Sequence, residues 1–250
     1  METLSKNKLS LLASYRQQKR CDEENLFVIE GPKLCLEALL SDIKIRTICA
    51  TADFWDNQTS PLGGLHDAAC YEASQQQLER LSNLRTPNKI WMLAERPLLG
   101  EAIPSQADII IALDNLQDPG NLGTILRTAD WFGIRHLVCS TDTVSCFNPK
   151  VVQASMGAIF RTYVNYVNLA DFLKSQHERT VYGAMLGGES IYTCAVLKPA
   201  IIVIGNEGSG ISPAVASAIH RSITIPNLGH TAESLNAAMA AAIICYEFSR

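Results

Sequence analysis

The chain has 250 residues, a formal net charge of −4, 47% hydrophobic and 18% charged residues, and no low-complexity tract. Such a chain can bury a sizeable core, which excludes both a small disulfide-stapled domain and a disordered one. Its longest uninterrupted apolar stretch, Ala237 to Tyr246, is far shorter than the ~20 residues a membrane-spanning helix needs. The first twenty residues lack the apolar core and cleavage site of a secretory signal, so a cytoplasmic protein is expected.

Eight cysteines, at 21, 35, 49, 70, 139, 146, 194 and 245, include no CxxC pair and no Cys/His cluster at zinc spacing. They are expected as buried, reduced thiols, with no metal site. The acidic balance argues mildly against a nucleic-acid partner, yet residues 1–20 hold Lys6, Lys8, Arg16, Lys19 and Arg20 against Glu2 alone, which leaves a local basic arm open.

In chain order, a first α/β unit comprises an apolar run at FVIEG (27–31), a helical pattern after Pro32, an IRTICAT strand (45–51) and a helical pattern at QQQLERLSNL (75–84). Pro97, Gly100 and Pro104 mark a connector. The expected organisation is thus a domain at 1–95, a linker at 96–107 and a second domain at 108–250. In the second domain strands alternate with helices: DIIIALDN, a helix from Asn121, RHLVCST, a helix over VVQASMGAIF, a strand near RTYVNY, a helix at Leu169–Gln176, VYGAML, AIIVIGN, RSITIPN, and a terminal helix capped by Ser234. Runs such as IIIAL and IIVIG are apolar on both faces, as parallel strands covered by helices on each side must be. The expected fold is α/β, with an open parallel sheet in the C-terminal domain.

Ligands gather at the carboxyl ends of such strands, and three polar segments sit there. In DNLQDPGNLGTILRTADWFGI (114–134), Asn121 can cap a helix, Gly123 allows close approach, and Arg127 has a planar fork suited to phosphate. The run IIVIGNEGSGIS (201–212) ends a buried strand in a glycine-rich loop. That loop has no lysine for a phosphate cradle and no GxGxxG, and Glu207 would repel a phosphate. In ITIPNLGHTAESLNAAMAAAI (223–243), Ser234 is most simply a cap, whereas Asn236 has no evident capping duty. Each segment alone reads equally as an ordinary turn or helix start.

Together their order resembles the three motifs of the SpoU/TrmH-type RNA 2'-O-ribose methyltransferases of the SPOUT superfamily. The match is N-x-G-x-x-x-R at Asn121, Gly123 and Arg127, then G-x-E-G-x-G at Gly205, Glu207, Gly208 and Gly210, then I-P…S-L-N at Ile225, Pro226, Ser234, Leu235 and Asn236. The resemblance covers 108–250 and implies a deep trefoil knot in the C-terminal domain. It also implies S-adenosyl-L-methionine as cofactor, methylation of a ribose 2'-hydroxyl in rRNA or tRNA, and a homodimer whose interface completes the site. No metal is implied.

Carried over by position, the resemblance assigns Arg127 to the central role, with Asn121, Glu207, Ser234 and Asn236 around it. Gly205, Ile225 and Leu235 fall at the cofactor, followed less directly by Met185, Gly187 and Leu228. The N-terminal unit resembles the substrate-binding domain often attached to such enzymes, itself similar to small ribosomal proteins that bind kinked RNA. Over residues 1–100 it holds 12 Lys/Arg against 13 Asp/Glu, so RNA affinity needs a patch, for which Arg16, Lys19, Arg20 and Lys33 are the residues available. A catalytically idle dimeric RNA-binding protein of the same fold and a nucleotide-dependent α/β enzyme remain as alternatives.

Overall fold

Two β-sheets of different strand chemistry organise the chain. In the computed structural model, which describes residues 2–57, 68–97, 108–229 and 233–250, one compact unit comprises Met1–Pro97 with Phe147–Phe160 and the other Leu98–Cys146 with Arg161–Arg250. Of the expected linker, residues 98–107 lie outside the described residues. No helix among the described residues is long and apolar enough to cross a membrane.

The elements run β1 (Glu2–Thr3), α1 (Lys6–Ala13), α2 (Gln18–Glu24), β2 (Leu26–Glu30), α3 (Pro32–Leu39), β3 (Ile45–Ala50), α4 (Ala52–Asp56), β4 (Ala69–Glu72), α5 (Gln75–Leu81) and β5 (Ile90–Glu95). They continue with β6 (Ile109–Leu113), α6 (Pro119–Trp131), β7 (His136–Ser140), α7 (Pro149–Ser155), β8 (Tyr163–Val167) and α8 (Leu169–Ser175). The last are β9 (Thr180–Ser190), β10 (Ala200–Ile204), α9 (Pro213–Ala216), β11 (Arg221–Thr224) and α10 (Ala237–Phe248).

The first unit carries a mixed sheet in the order β1-β4-β3-β5-β2, with β5 antiparallel to both of its neighbours. Its core gathers Leu9 and Leu12 of α1, Leu78 and Leu81 of α5, and Trp91 and Leu93 of β5. Helix α5 starts with a reciprocal capping box, Ser74 with Gln77, a device worth about 1 kcal/mol. The expected helix over 151–160 is broken. It ends at Ser155, because Met156 and Gly157 both take positive φ (50° and 93°), and a 3₁₀ turn follows at Ala158–Phe160. This segment, read from sequence as part of the second domain, groups with the first unit.

The second unit is the expected open parallel sheet, in the order β11-β9-β10-β6-β7-β8. β6 and β10 are buried at every residue, which explains why they carry apolar side chains on both faces. On one face Ile110, Ala112, Val138, Val181, Ile201 and Val203 pack with Leu169 and Leu173 of α8 and Val215 of α9. On the other, α10 lies against α6, and Phe248 meets Tyr182 edge-on at 4.9 Å. β9 pairs with β11 through Gly183↔Ser222 and resumes at Glu189↔Ile223, so residues 184–188 leave the ladder. Since all six strands point one way, the carboxyl ends of β11, β9, β10 and β6 lie side by side.

Candidate active site

Two helix starts build the site, and both differ from the expectation. α6 is capped by Asp118, whose Oδ1 accepts from the Asn121 N–H at 2.7 Å, rather than by Asn121. α10 is capped by Asn236, whose Oδ1 accepts from the N–H groups of Ala238 (2.9 Å) and Met239 (3.3 Å), rather than by Ser234. A capping oxygen must lie within two or three residues of the free N–H groups. Ser234 precedes the first helical residue by too much, and Asn121 already lies inside its helix.

These two corrections orient a chain of side chains. The Asn236 oxygen is committed to its helix, so its amide nitrogen faces outward and donates to Asn121 Oδ1 at 2.8 Å. The Asn121 nitrogen is then left to donate, and it does so to Glu207 Oε1 at 2.7 Å. Hydrogen-bond polarity alone settles both amide orientations and requires Glu207 as an acceptor. The relay joins the three motifs across 115 and 86 residues of sequence.

The loop bearing Glu207 is a narrow ribbon in which Asn206 and Gly210 exchange two backbone hydrogen bonds at 3.0 Å. A Cβ on Gly205 would sit 2.3 Å from the Gly210 carbonyl carbon, so glycine is required there by the chain's own backbone. Ser212 N–H donates to the buried Asp114 Oδ2 at 2.7 Å, fastening the far end of the ribbon to the end of β6. Asp114 and Asn206 were not singled out from sequence, although each stands directly at a strand end, where polar residues warrant attention.

Arg127 lies on the exposed face of α6 with no hydrogen bond or ion pair to another described residue, so its fork is available to a ligand. Ser234 is exposed and likewise makes no such contact among the described residues. The structure therefore assembles Asn121, Glu207 and Asn236 into one contact set and leaves Arg127 and Ser234 outside it.

The residues assigned to the cofactor stand at the ends of three adjacent strands. Met185 and Gly187 lie in the 184–188 excursion, where Gly187 has φ +78° with nothing within 4 Å of a Cβ position. Gly205 follows β10, and Ile225 and Leu228 follow β11. Leu186 and Leu228, past the ends of β9's ladder and β11, are exposed at 80% and 83%, and Leu235, just before α10, at 50%, apolar surface that a bound adenosine or methionine moiety would cover. Apolar and glycine residues of this kind suit the apolar faces of a nucleoside sulfonium.

In the first unit, Arg16, Lys19 and Lys33 are exposed, whereas Arg20 pairs with Glu24 and lies 5.7 Å over the Tyr15 ring. Lys33 lines a small cleft with Gly31, Glu37, Gln153 and Met156. Glu30 is buried and accepts from Ser82 Oγ and from Asn83 N–H (2.9 Å). Burial raises its carboxyl pKa, while those two hydrogen bonds and the charge of Arg16 oppose the rise. Of the eight cysteines only Cys70 and Cys194 are partly exposed, correcting the expectation that all are buried.

Residues 108–246 match the SpoU rRNA Methylase family, and residues 6–91 match the MRM3-like substrate binding domain. The chain is 29% identical over 249 residues to the 23S rRNA (guanosine(2553)-2'-O)-methyltransferase RlmP of Bacillus subtilis, covering 98% of this chain and 97% of that one. It is similar to the structure of a TrmH-family member among RNA methyltransferases from Porphyromonas gingivalis, with 41% identity, TM-score 0.88 and 98% of each chain covered. It is also similar to an AdoMet-bound rRNA methyltransferase from Sinorhizobium meliloti, with 27% identity, TM-score 0.86, and 99% and 96% covered.

Proposed function

The chain belongs to the SpoU rRNA methylase family, and from that premise we propose that it is an S-adenosyl-L-methionine-dependent enzyme that methylates a ribose 2'-hydroxyl in rRNA or tRNA. The observation that carries this reading is the Asn236–Asn121–Glu207 relay, which ties the three motif loops together at the carboxyl edge of a parallel sheet. When bound there, the cofactor supplies an electrophilic methyl group. The protein must align the acceptor oxygen with it and favour negative charge on a very weak acid.

Arg127 serves the second need. Its exposed fork is available for the phosphate next to the target ribose and for the charge developing on the 2'-oxygen. Because a guanidinium keeps its proton, it acts by electrostatic stabilisation rather than as a base. Asn121 and Glu207 brace each other beside it. Asn236, its amide engaged on both sides, is a positioning residue that sets the start of α10 and hence the preceding Ser234 and Leu235. Ser234, with its hydroxyl uncommitted among the described residues, is the group that meets the ribose. Gly205, Ile225, Leu235, Met185, Gly187 and Leu228 form the cofactor side, and the family's trefoil knot belongs to the same reading.

The domains at 1–95 and 108–250 take separate tasks in this reading. The first holds RNA through Arg16, Lys19 and Lys33, with Arg20 contributing less because Glu24 neutralises it. The enzyme works in the cytoplasm as a homodimer. Trp131 at the end of α6 is 85% exposed, and Met239 and Tyr246 on the outer face of α10 are 57% and 55% exposed, an apolar surface that a second copy would cover. Met239→Glu should yield monomers in sedimentation, and an unchanged dimer would remove this face from the interface.

The overall reading is tested by mapping 2'-O-methyl positions in RNA from cells with and without the gene, then restoring the missing position with purified enzyme and S-adenosyl-L-methionine. An identical methylation map in both cell lines would overturn it.

A further inference from the structure

The relay explains how Asn121 meets Glu207, but not what holds Glu207 in place, since it stands on an exposed loop bounded by glycines. The neighbouring Asn206 side chain makes more contacts than Glu207 itself. Its Oδ1 accepts from Gly208 N–H (2.9 Å), Ser209 N–H (3.0 Å) and Ser209 Oγ (3.2 Å). Its Nδ2 donates to the carbonyl of Asn115 at 2.8 Å, across 91 residues.

That carbonyl is itself held. Asn115 sits in the left-handed region at φ 54°, its N–H donates to Ser140 Oγ at 2.8 Å, and its Oδ1 accepts from Gln117 Nε2 at 2.6 Å. Gln117 lies next to Asp118, the cap of the helix carrying Asn121 and Arg127. Asn206 therefore closes the glycine loop into a turn with one end of its amide and straps that turn to the start of α6 with the other.

We propose that Asn206 is a positioning residue for methyl transfer, fixing the separation between the Glu207 carboxylate and the Asn121 amide through its bond to the Asn115 carbonyl. The inference rests on the site reading above, in which Glu207 and Asn121 act together. Asparagine suits the position because its amide offers an acceptor to the turn and, from a separate atom, a donor to the strap. Aspartate keeps the acceptor and loses the donor, presenting an oxygen to a carbonyl oxygen.

The experiment compares Asn206→Asp and Asn206→Ala in single-turnover methyl transfer to RNA from cells lacking the gene. Asn206→Asp should lower the rate about tenfold, the scale of one lost positioning hydrogen bond, with KM for S-adenosyl-L-methionine and thermal midpoint nearly unchanged. Asn206→Ala should lower it further. A double-mutant cycle with Glu207→Ala then decides the route. If Asn206 acts through Glu207, Asn206→Ala costs little more once Glu207 is gone. Full additivity, or wild-type turnover in Asn206→Asp, overturns the proposal. A Glu207→Ala enzyme at the wild-type rate would instead defeat the site reading itself, and this inference with it.

Discussion

The two units use the same device, a buried carboxylate at a strand end, for different purposes. Glu30 closes β2 and spends its oxygens on Ser82 and Asn83, whereas Asp114 follows β6 and holds Ser212 of the glycine loop. The difference lies in the sheets around them. In the mixed sheet of the first unit, β5 runs against its neighbours, so its carboxyl end falls on the opposite edge from those of β3 and β2. In the second unit every pairing is parallel, and loops distant in sequence are brought to one edge. Parallel topology, more than any single residue, makes a three-loop site possible there.

The sharpest test of that contrast removes the one uncommitted cation of the proposed catalytic set. Arg127→Ala should lower methyl transfer by about a thousandfold, the scale of losing a main charge-stabilising group, while calorimetry shows S-adenosylhomocysteine binding nearly as before. Near wild-type turnover would move the chemistry away from α6. Arg127→Lys should recover only part of the rate, because a point charge does not replace the bidentate fork.

Next in size is Gly205→Ala. The new Cβ would meet the Gly210 backbone, so the ribbon must open. The expected result is a drop in thermal midpoint of several degrees, equivalent to about 1–3 kcal/mol of overpacking, together with weaker cofactor binding. Lost cofactor binding with an unchanged midpoint would return Gly205 to a purely ligand-facing role.

A smaller effect separates the units by pH. With its folded pKa raised, Glu30 contributes stability that is fully present below its unfolded value and lost as pH rises through the folded one. Thermal midpoints of wild type and Glu30→Gln should therefore converge, or cross, as pH climbs above 4.5, the group's ordinary value. Parallel curves across that window would show that the buried carboxyl does not titrate with unfolding.

The smallest signal is chemical. Burial pushes the Cys49 and Cys245 thiols up to about 12 and Cys21 to about 11, so these stay protonated and unreactive at neutral pH. Labelling of the native protein should reach Cys70 in the first unit and Cys194 in the second before any other, as peptide mapping would reveal. Early modification of Cys49 would mean that the mixed sheet opens readily.

Much of this was legible in the residues. The doubly apolar runs of β6 and β10 announce a covered parallel sheet, and Asn121, Arg127, Glu207 and Asn236 stand out as polar residues in the segments that follow its strands. What sequence misjudged were helix starts. Ser234 offers as good a cap as Asn236, and only the first residue of α10 distinguishes them. Residues 147–160 lie between the two stretches of the second unit in sequence yet group with the first, because a short helix does not declare which core it joins.

The order of amino acids thus determined where strands and helices form and which side chains are fit for the chemistry, since periodicity, caps and charge act over a few residues. Tertiary structure alone decided that Asn236 faces Asn121, that Asn121 turns its nitrogen to Glu207, and that Asn206 reaches the Asn115 carbonyl. Those bonds cross 86 to 115 residues, and their direction follows from which oxygen a helix end has already claimed.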